Sequence, residues 1–500
     1  MRRLAAALAL TLVPGAVAAE GPLSAIDWLS DSVARAPAPK RPDDGWTTGV
    51  ARSALPEEVT VAPLSKTVPD AVGLHPAASL GLPADLWSGS SPRDLERLFA
   101  VDMTDALPAA RDLFEALATV EAPPPPGSDG RALFLARVDA LLRLGDIHSA
   151  AALLERAELR DPELFRRWFD ISILRGTETR ACERMSALPE ITPTYATRIF
   201  CLARGGDWPA AALTLETSEA LGVVSPAEDA LLARFLDPMI AEDGLSLPPP
   251  EDPSPLTFAM YEAIGAPLST QTLPAAFAHA DLRPVNGWKA RLAAAERLAR
   301  LGSLSADQLM ALYGEQEPAA SGGVWDRVAA VQALDAALDA GDANAVAAAL
   351  PIAWDEMTAA GLAHPLARAF GPRLEALGGT EGAPALQMIL LSGGDPVEPT
   401  SREERVLASL ATDRPAMPST ARERAVAEGL AASPPPARYA EMLDTGRTGE
   451  AVLRALTDLR EGRTGELSHL RDALALLKHS GPDGSARDAA LQALILDAAP

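Results

Sequence analysis

Residues 131–163 read RALFLARVDALLRLGDIHSAAALLERAELRDPE, and two helices joined by one turn account for the whole stretch. Phe134, Val138 and Leu141 recur at helical spacing and give the first helix an apolar face. Gly145-Asp146 makes the turn. Ala150, Leu154 and Ala157 give the second helix its face, and Asp161-Pro162 ends it. Each residue type suits its place. Glycine tolerates the turn's backbone, alanine lets two helices approach closely, and proline cannot continue a helix.

The pattern recurs. Gly176, Ala181, Met185 and Pro193 repeat it 31 residues later, and Gly206-Asp207, Ala211 and Leu215 repeat it after another 30. Gly341-Asp342 with Leu350, and Gly446 with Ala451, are fainter echoes. These positions resemble the tetratricopeptide (TPR) pattern: an aromatic early in the first helix, glycine at the turn, a small residue where the helices cross, proline after the second. The period is shorter than the roughly 34 residues of that family. The resemblance covers Arg131 to Leu221, and the rest is similar only as helical hairpins. It implies an all-α fold, an α-solenoid of TPR-like helical hairpins, with a concave groove suited to a protein or peptide partner.

Composition agrees with helices. Hydrophobic residues make up 48% of the chain and aromatics only 4%, so the apolar mass is mainly alanine, leucine and valine. The first two are strong helix formers. No stretch reads as a strand or hairpin. Helix starts are marked by Ser91-Pro92 and Ser305, and Ala306–Tyr313, Asp326–Ala340, Ser401–Ala411 and Glu466–Lys478 carry helical spacing.

The first residues read as a secretory leader, 1–19: Arg2 and Arg3, a short apolar run from Leu4 to Val13, then Ala16-Val17-Ala18 or Val17-Ala18-Ala19 as the cleavage site. The run is shorter than the ~20 residues a membrane-spanning helix needs. No lipobox cysteine follows, and no later stretch is apolar enough to span a bilayer. The mature chain is therefore expected in the periplasm. Residues 20–90 are proline-rich and largely extended, with a short helix expected around Trp28. Within them, Val68–Trp87 is too apolar for free linker and too proline-broken for a helix, so it is expected to pack on the helical array. Helical repeats follow over 91–245, a proline-rich linker with a short helix over 246–275, and a C-terminal helical-hairpin array over 276–500.

Net charge is −24, and −26 without Arg2 and Arg3. Such a chain repels phosphate backbones and anionic membrane surfaces, which argues against nucleic acid as a partner. The charge also keeps a long array soluble.

Catalytic motifs are absent: no HExxH, CxxC, P-loop, GxGxxG or GxSxG occurs. No cofactor or metal is expected. His75, His148, His279, His364, His469 and His479 are scattered and read as surface or capping residues. Glu403-Glu404, beside Arg402 and Arg405, reads as a solvated helix face with local ion pairs. The tryptophans, spread from Trp28 to Trp354, are expected to fill gaps between hairpins. The two cysteines, Cys182 and Cys201, are equidistant from the turn at Pro189–Pro193. They could form one structural disulfide or remain two buried thiols.

Leader, repeats and missing catalytic motifs together suggest an exported protein-interaction scaffold of the bacterial cell envelope. The alternatives are a peptidoglycan-acting enzyme built on a helical superhelix, or a structural adaptor in an envelope machine. Lytic transglycosylases carry a Glu-Ser pair on such a scaffold, and no Glu-Ser dipeptide occurs here.

Overall fold

A glycine–aspartate step joins helices repeatedly along this chain, and its chemistry is local. In the computed structural model Gly145, Gly206 and Gly341 all adopt positive φ, at 84°, 85° and 62°, a backbone that other residues rarely accept. The next residue then caps the following helix. The side chain of Asp146 accepts from the amide of Ser149, Asp207 from Ala210, and Asp342 from Asn344 and Ala345. Gly145 is glycine for a second reason: a Cβ there would stand 3.0 Å from Leu298 and 3.2 Å from Ala275.

The structure describes residues 68–237, 247–378, 382–412, 414, 417–463 and 465–497. The expected leader, the short helix around Trp28 and the rest of the proline-rich stretch up to residue 67 lie outside them. Among the described residues the chain is all-α, with 23 α-helices and one two-stranded parallel pair, His75–Pro76 against Val120–Glu121. The helices are α1 (Pro92–Phe99), α2 (Pro108–Thr119), α3 (Ala132–Leu144), α4 (Ile147–Arg156), α5 (Pro162–Arg175), α6 (Glu178–Ala187), α7 (Tyr195–Arg204), α8 (Trp208–Ala220), α9 (Pro226–Leu236), α10 (Pro255–Ala263), α11 (Ala278–Asp281) and α12 (Trp288–Leu301). They continue as α13 (Ala306–Tyr313), α14 (Val324–Asp339), α15 (Ala343–Ala359), α16 (Ala363–Ala376), α17 (Ala383–Leu391), α18 (Arg402–Ala411), α19 (Ala421–Ala431), α20 (Ala437–Asp444), α21 (Thr448–Gly462), α22 (Leu467–Ser480) and α23 (Ser485–Ile495).

Neighbouring helices pack in pairs: α3 with α4, α7 with α8, α14 with α15, α16 with α17, α21 with α22. Ala150, Ala181 and Ala211 are fully buried. Leu154, Met185 and Leu215 are buried beside them, and Ala157 is half-buried. Gly176 makes the same left-handed turn before α6 as Gly145 makes before α4. One detail of the reading changes. Helix α4 stops at Arg156, and Pro162 stands at the start of α5, where its missing N–H costs nothing and Asp161 caps the amide of Glu163.

The segment from Val68 onward packs on the helices, but as short 3-10 turns at Pro69–Ala71 and Ala77–Leu80 rather than as a plain extended strip. Val72, Ala77, Leu82, Leu86 and Trp87 are buried. Arg137, buried in α3, holds the segment by donating to the carbonyls of Ala118 and Val120, both at 2.7 Å, and of Asp70 at 3.3 Å. In return the Asp70 carboxylate accepts from the Phe134 amide at 2.7 Å. Burial lifts the Asp70 pKa above its ordinary value, against the pull of hydrogen bonds from Ser128 and Phe134.

In an open solenoid each repeat touches only its neighbours. Here the last helices pack on the first: α21 on α1 and α2, and α23 on α2. The amide of Ala109, in the first turn of α2, donates to Oε1 of Gln492 in α23 at 2.7 Å. Leu107, at the N-cap of α2, offers no side-chain cap, so the last helix supplies the acceptor. Arg460 and Arg463 both reach Asp105, just before α2. The middle of the chain joins in. Ser303 donates to the carbonyl of Leu144 at 2.5 Å, and Nε2 of His279 lies 2.8 Å from the carbonyl oxygen of Gly145.

Candidate functional site

Helix α2 stands where these distant pieces meet, and its spacing divides its faces. Leu113, Phe114, Leu117 and Ala118 are buried in the core. Ala109, Asp112 and Ala116, at intervals of three and four residues, share a face that opens on a cleft. Across the cleft α16 presents His364 and Arg368, one turn apart, and α23 presents Asp488 and Gln492, also one turn apart. A cavity of about 380 Å³ lies between them, with Leu113, Leu390 and Leu391 as apolar wall. A second cavity, of about 350 Å³, shares Asp112 and His364 and extends toward Arg111, Arg300, Trp354 and Arg463.

The charges divide into committed and uncommitted groups. Arg111 is buried and donates to the carbonyls of Ala106 and Arg300, both at 2.6 Å. Its enclosure lowers its pKa to about 10, so it stays charged at neutral pH. Arg463 is held by Asp497, and Arg300 donates to the carbonyl of Ala360 at 2.7 Å. Buried acids elsewhere are likewise paired. Glu296 takes Arg327 at 2.7 Å and the Tyr313 hydroxyl at 2.8 Å, and Glu450 takes Arg454 at 2.9 Å.

In the first cavity, by contrast, Asp112, His364, Arg368 and Asp488 make no side-chain hydrogen bond or ion pair with any described residue. Asp112 and Asp488 are exposed along the cleft, yet crowding by protein raises both carboxyls above the ordinary range, against Arg111 and Arg368 at Asp112 and against Arg487 and Arg368 at Asp488. Enclosure lowers His364 to about 4, with the charges of Arg368 and Arg111 adding to the effect, so its imidazole is neutral at pH 7. Asp112, Arg368 and Asp488 are exposed along the open cleft and His364 is half-buried, so all four are open to an incoming group.

On the next turn of α2, Glu115 faces α4 instead. Burial and the neighbouring Asp146 push its carboxyl up to about 8, while Ser149 approaches it at 3.4 Å. Glu115 lines neither cavity.

The histidines correct the surface reading in part. His148, His75 and His479 are exposed. His279 is buried, and burial lowers its pKa to about 4. His469 meets Asp458 and Glu461, with ligand atoms within 4.8 Å of one another. Arg438 already serves that group, 3.3 Å from both Asp458 and His469, so a cation occupies the cluster's side chains. Glu404 is also corrected. It is buried, and its carboxylate caps α18 by accepting from the amides of Thr400 at 2.6 Å and Ser401 at 3.2 Å. Trp87, Trp168, Trp288 and Trp354 are buried between helices, whereas Trp208 is 48% exposed at the start of α8. Cys182 in α6 and Cys201 in α7 form a disulfide across the turn, with Cα atoms 5.1 Å apart.

Set against protein-family models, curated proteins and solved structures, the chain shows no significant match. The cleft residues were missed in the sequence because they come from three helices separated by hundreds of positions. The only local trace was the i, i+4 pairing of His364 with Arg368 and of Asp488 with Gln492.

Proposed function

We propose that the protein is an exported interaction scaffold of the bacterial cell envelope, a TPR-like solenoid of helical hairpins whose ends meet. It binds a protein or peptide partner in the cleft between α2, α16 and α23. The observation that carries this reading is the set of uncommitted side chains, Asp112, His364, Arg368 and Asp488, converging on one cavity from an early, a middle and a late helix. The leader-like N-terminus supports the compartment. The repeated Gly-Asp turns and buried alanines support the family likeness.

The test is site-specific photo-cross-linking in the envelope. A cross-linking residue at Asp483, on the rim of the cavity, should trap a peptide-containing partner. One at Val285, 84% exposed and lining neither cavity, should not. Equal trapping at both positions, or none at Asp483, refutes the reading. N-terminal sequencing of envelope protein should start at Ala19 or Glu20, and an intact Met1 in soluble cytoplasm refutes export.

One observation favours a second reading, a peptidoglycan-acting enzyme. Asp112 and Asp488 are two carboxyls of raised pKa in one cavity, the kind of pair that glycoside hydrolysis uses as acid and base. Release of soluble fragments from purified sacculi by wild type, lost in both Asp112→Asn and Asp488→Asn, would establish it. No release by wild type removes it.

A further inference from the structure

We infer that the cleft takes a short free peptide, held by its two ends: the terminal carboxylate on Arg368 and the terminal ammonium on Asp488 and Asp112. This deepens, and rests on, the reading of the cleft as a binding site. Four observations lead to it.

The first is the sign of the groups. The cavity wall carries one uncommitted cation, Arg368, and two uncommitted carboxyls, Asp112 and Asp488, all three exposed along the cleft, as is Asp483 at the rim. A purely cationic ligand would leave Arg368 unanswered, and a purely anionic one would face the three acids. Only a ligand carrying both charges satisfies the wall. A guanidinium recognises a carboxylate through two parallel N–H donors, and an ammonium suits a pair of carboxylate acceptors.

The second is state. Enclosure disfavours the ionised forms of Asp112 and Asp488 when the cavity is empty. An ammonium brought beside them reverses that preference, so the ligand's charge is complementary to both carboxyls.

The third is size and wall. About 380 Å³ lies near the small end of the roughly 300–1,000 Å³ typical of small-ligand sites. That suits a free di- or tripeptide better than a loop of a folded partner. Leu113, Leu390 and Leu391 offer an apolar side chain somewhere to lie.

The fourth is exclusion of a structural role. The array's closing contacts use other side chains, Gln492, Arg460, Arg463, Ser303 and His279, all with partners. Arg368 and Asp488 join none of them, so they can be replaced without undoing the closure.

Isothermal titration of the mature chain with Ala-Leu and Ala-Leu-Ala tests the idea, each peptide free, N-acetylated or C-amidated. Free peptide should bind, and each blocked form should bind at least tenfold more weakly. Arg368→Gln should bring the free and amidated forms within about twofold, while keeping the penalty for acetylation. Asp488→Asn should do the converse. Thermal melts of both variants should match wild type. If blocked and free peptides bind alike, recognition by the two ends is wrong. If no free peptide binds although Asp483 still cross-links a partner, the inference falls and the scaffold reading survives. If neither occurs, both fall.

Discussion

Replacing Trp87 probes whether the N-terminal segment and the C-terminal helices form one core. Trp87 is 1% exposed, lies 6.1 Å from the ring of Phe99, and covers Gly449 in α21. Truncation to alanine removes a buried indole, which costs about 3–5 kcal/mol. Gly449 tests the same contact from the other side. A methyl carbon there would stand 2.6 Å from Cε3 of Trp87, closer still to Cζ3, and 2.7 Å from Cγ of Leu86. Gly449→Ala should therefore incur about 1–3 kcal/mol of overpacking, offset by about 1 kcal/mol of helix propensity. In the Trp87→Ala background most of that clash disappears. Gly449→Ala should then cost little or even stabilise, giving a coupling of about 1–3 kcal/mol. Urea unfolding followed by far-ultraviolet circular dichroism on the four proteins of the cycle measures it. Over about 430 residues, an unfolding entropy of about 2.1 cal/mol/K per residue turns 4 kcal/mol into about 4–5 °C of melting temperature. Additivity within about 0.5 kcal/mol would show that the two positions do not touch and would refute the docked segment.

Ala150→Leu should overpack the crossing of α4 with its neighbour and cost about 1–3 kcal/mol, and a melt identical to wild type contradicts the packing. His279 has a folded pKa near 4 against 6.5 unfolded, so the folded state binds fewer protons between those values. Stability is then full above pH 6.5 and lost as pH falls toward 4. His279→Gln should flatten that acid-side loss in urea midpoints taken at pH 4.5 and 7.5. Glu115 has the opposite sign. With a folded pKa near 8 against 4.5, its proton stabilises the fold at low pH, and stability is lost as pH rises through 8. Glu115→Gln should exceed wild type in stability at pH 9 and lose that advantage at pH 5. The chain should be 2 Da lighter by intact mass before reduction than after, from the bridge between Cys182 and Cys201. Reduction should lower its stability by roughly 3 kcal/mol, on a chain-entropy argument for a short loop.

What could be read from the sequence was what neighbouring residues decide. The Gly145-Asp146 turn, the Ser305 cap and the span Ala306–Tyr313 are set within a few positions, by backbone freedom, side-chain acceptors and helical period. Glu404 was misread although the signal was present. Ser401 followed three residues later by Glu404 is a capping box, and the adjacent arginines drew attention to ion pairing instead. His279 and the cleft were not legible at all. Burial of His279 depends on Gly145, 134 positions away, and the cavity wall joins Asp112 to Asp488. Contacts at such separations leave no period in the chain. An acid destined for a cleft is chemically identical to one destined for the surface.

The hydrogen bond from Ala109 to Gln492 has a consequence in time as well as space. The two residues are 383 positions apart, so α2 lacks its acceptor, and part of its covering, until nearly the whole polypeptide exists. Hairpins such as α3–α4 can form as they emerge, because their partners are adjacent. Helices α1 and α2 must wait for α21 and α23. A ribosome-bound fragment would show its opening helices as the weak point, exchanging amide hydrogens quickly and inviting proteases. Helices α1 and α2 therefore stay pliable until α21 and α23 have been made.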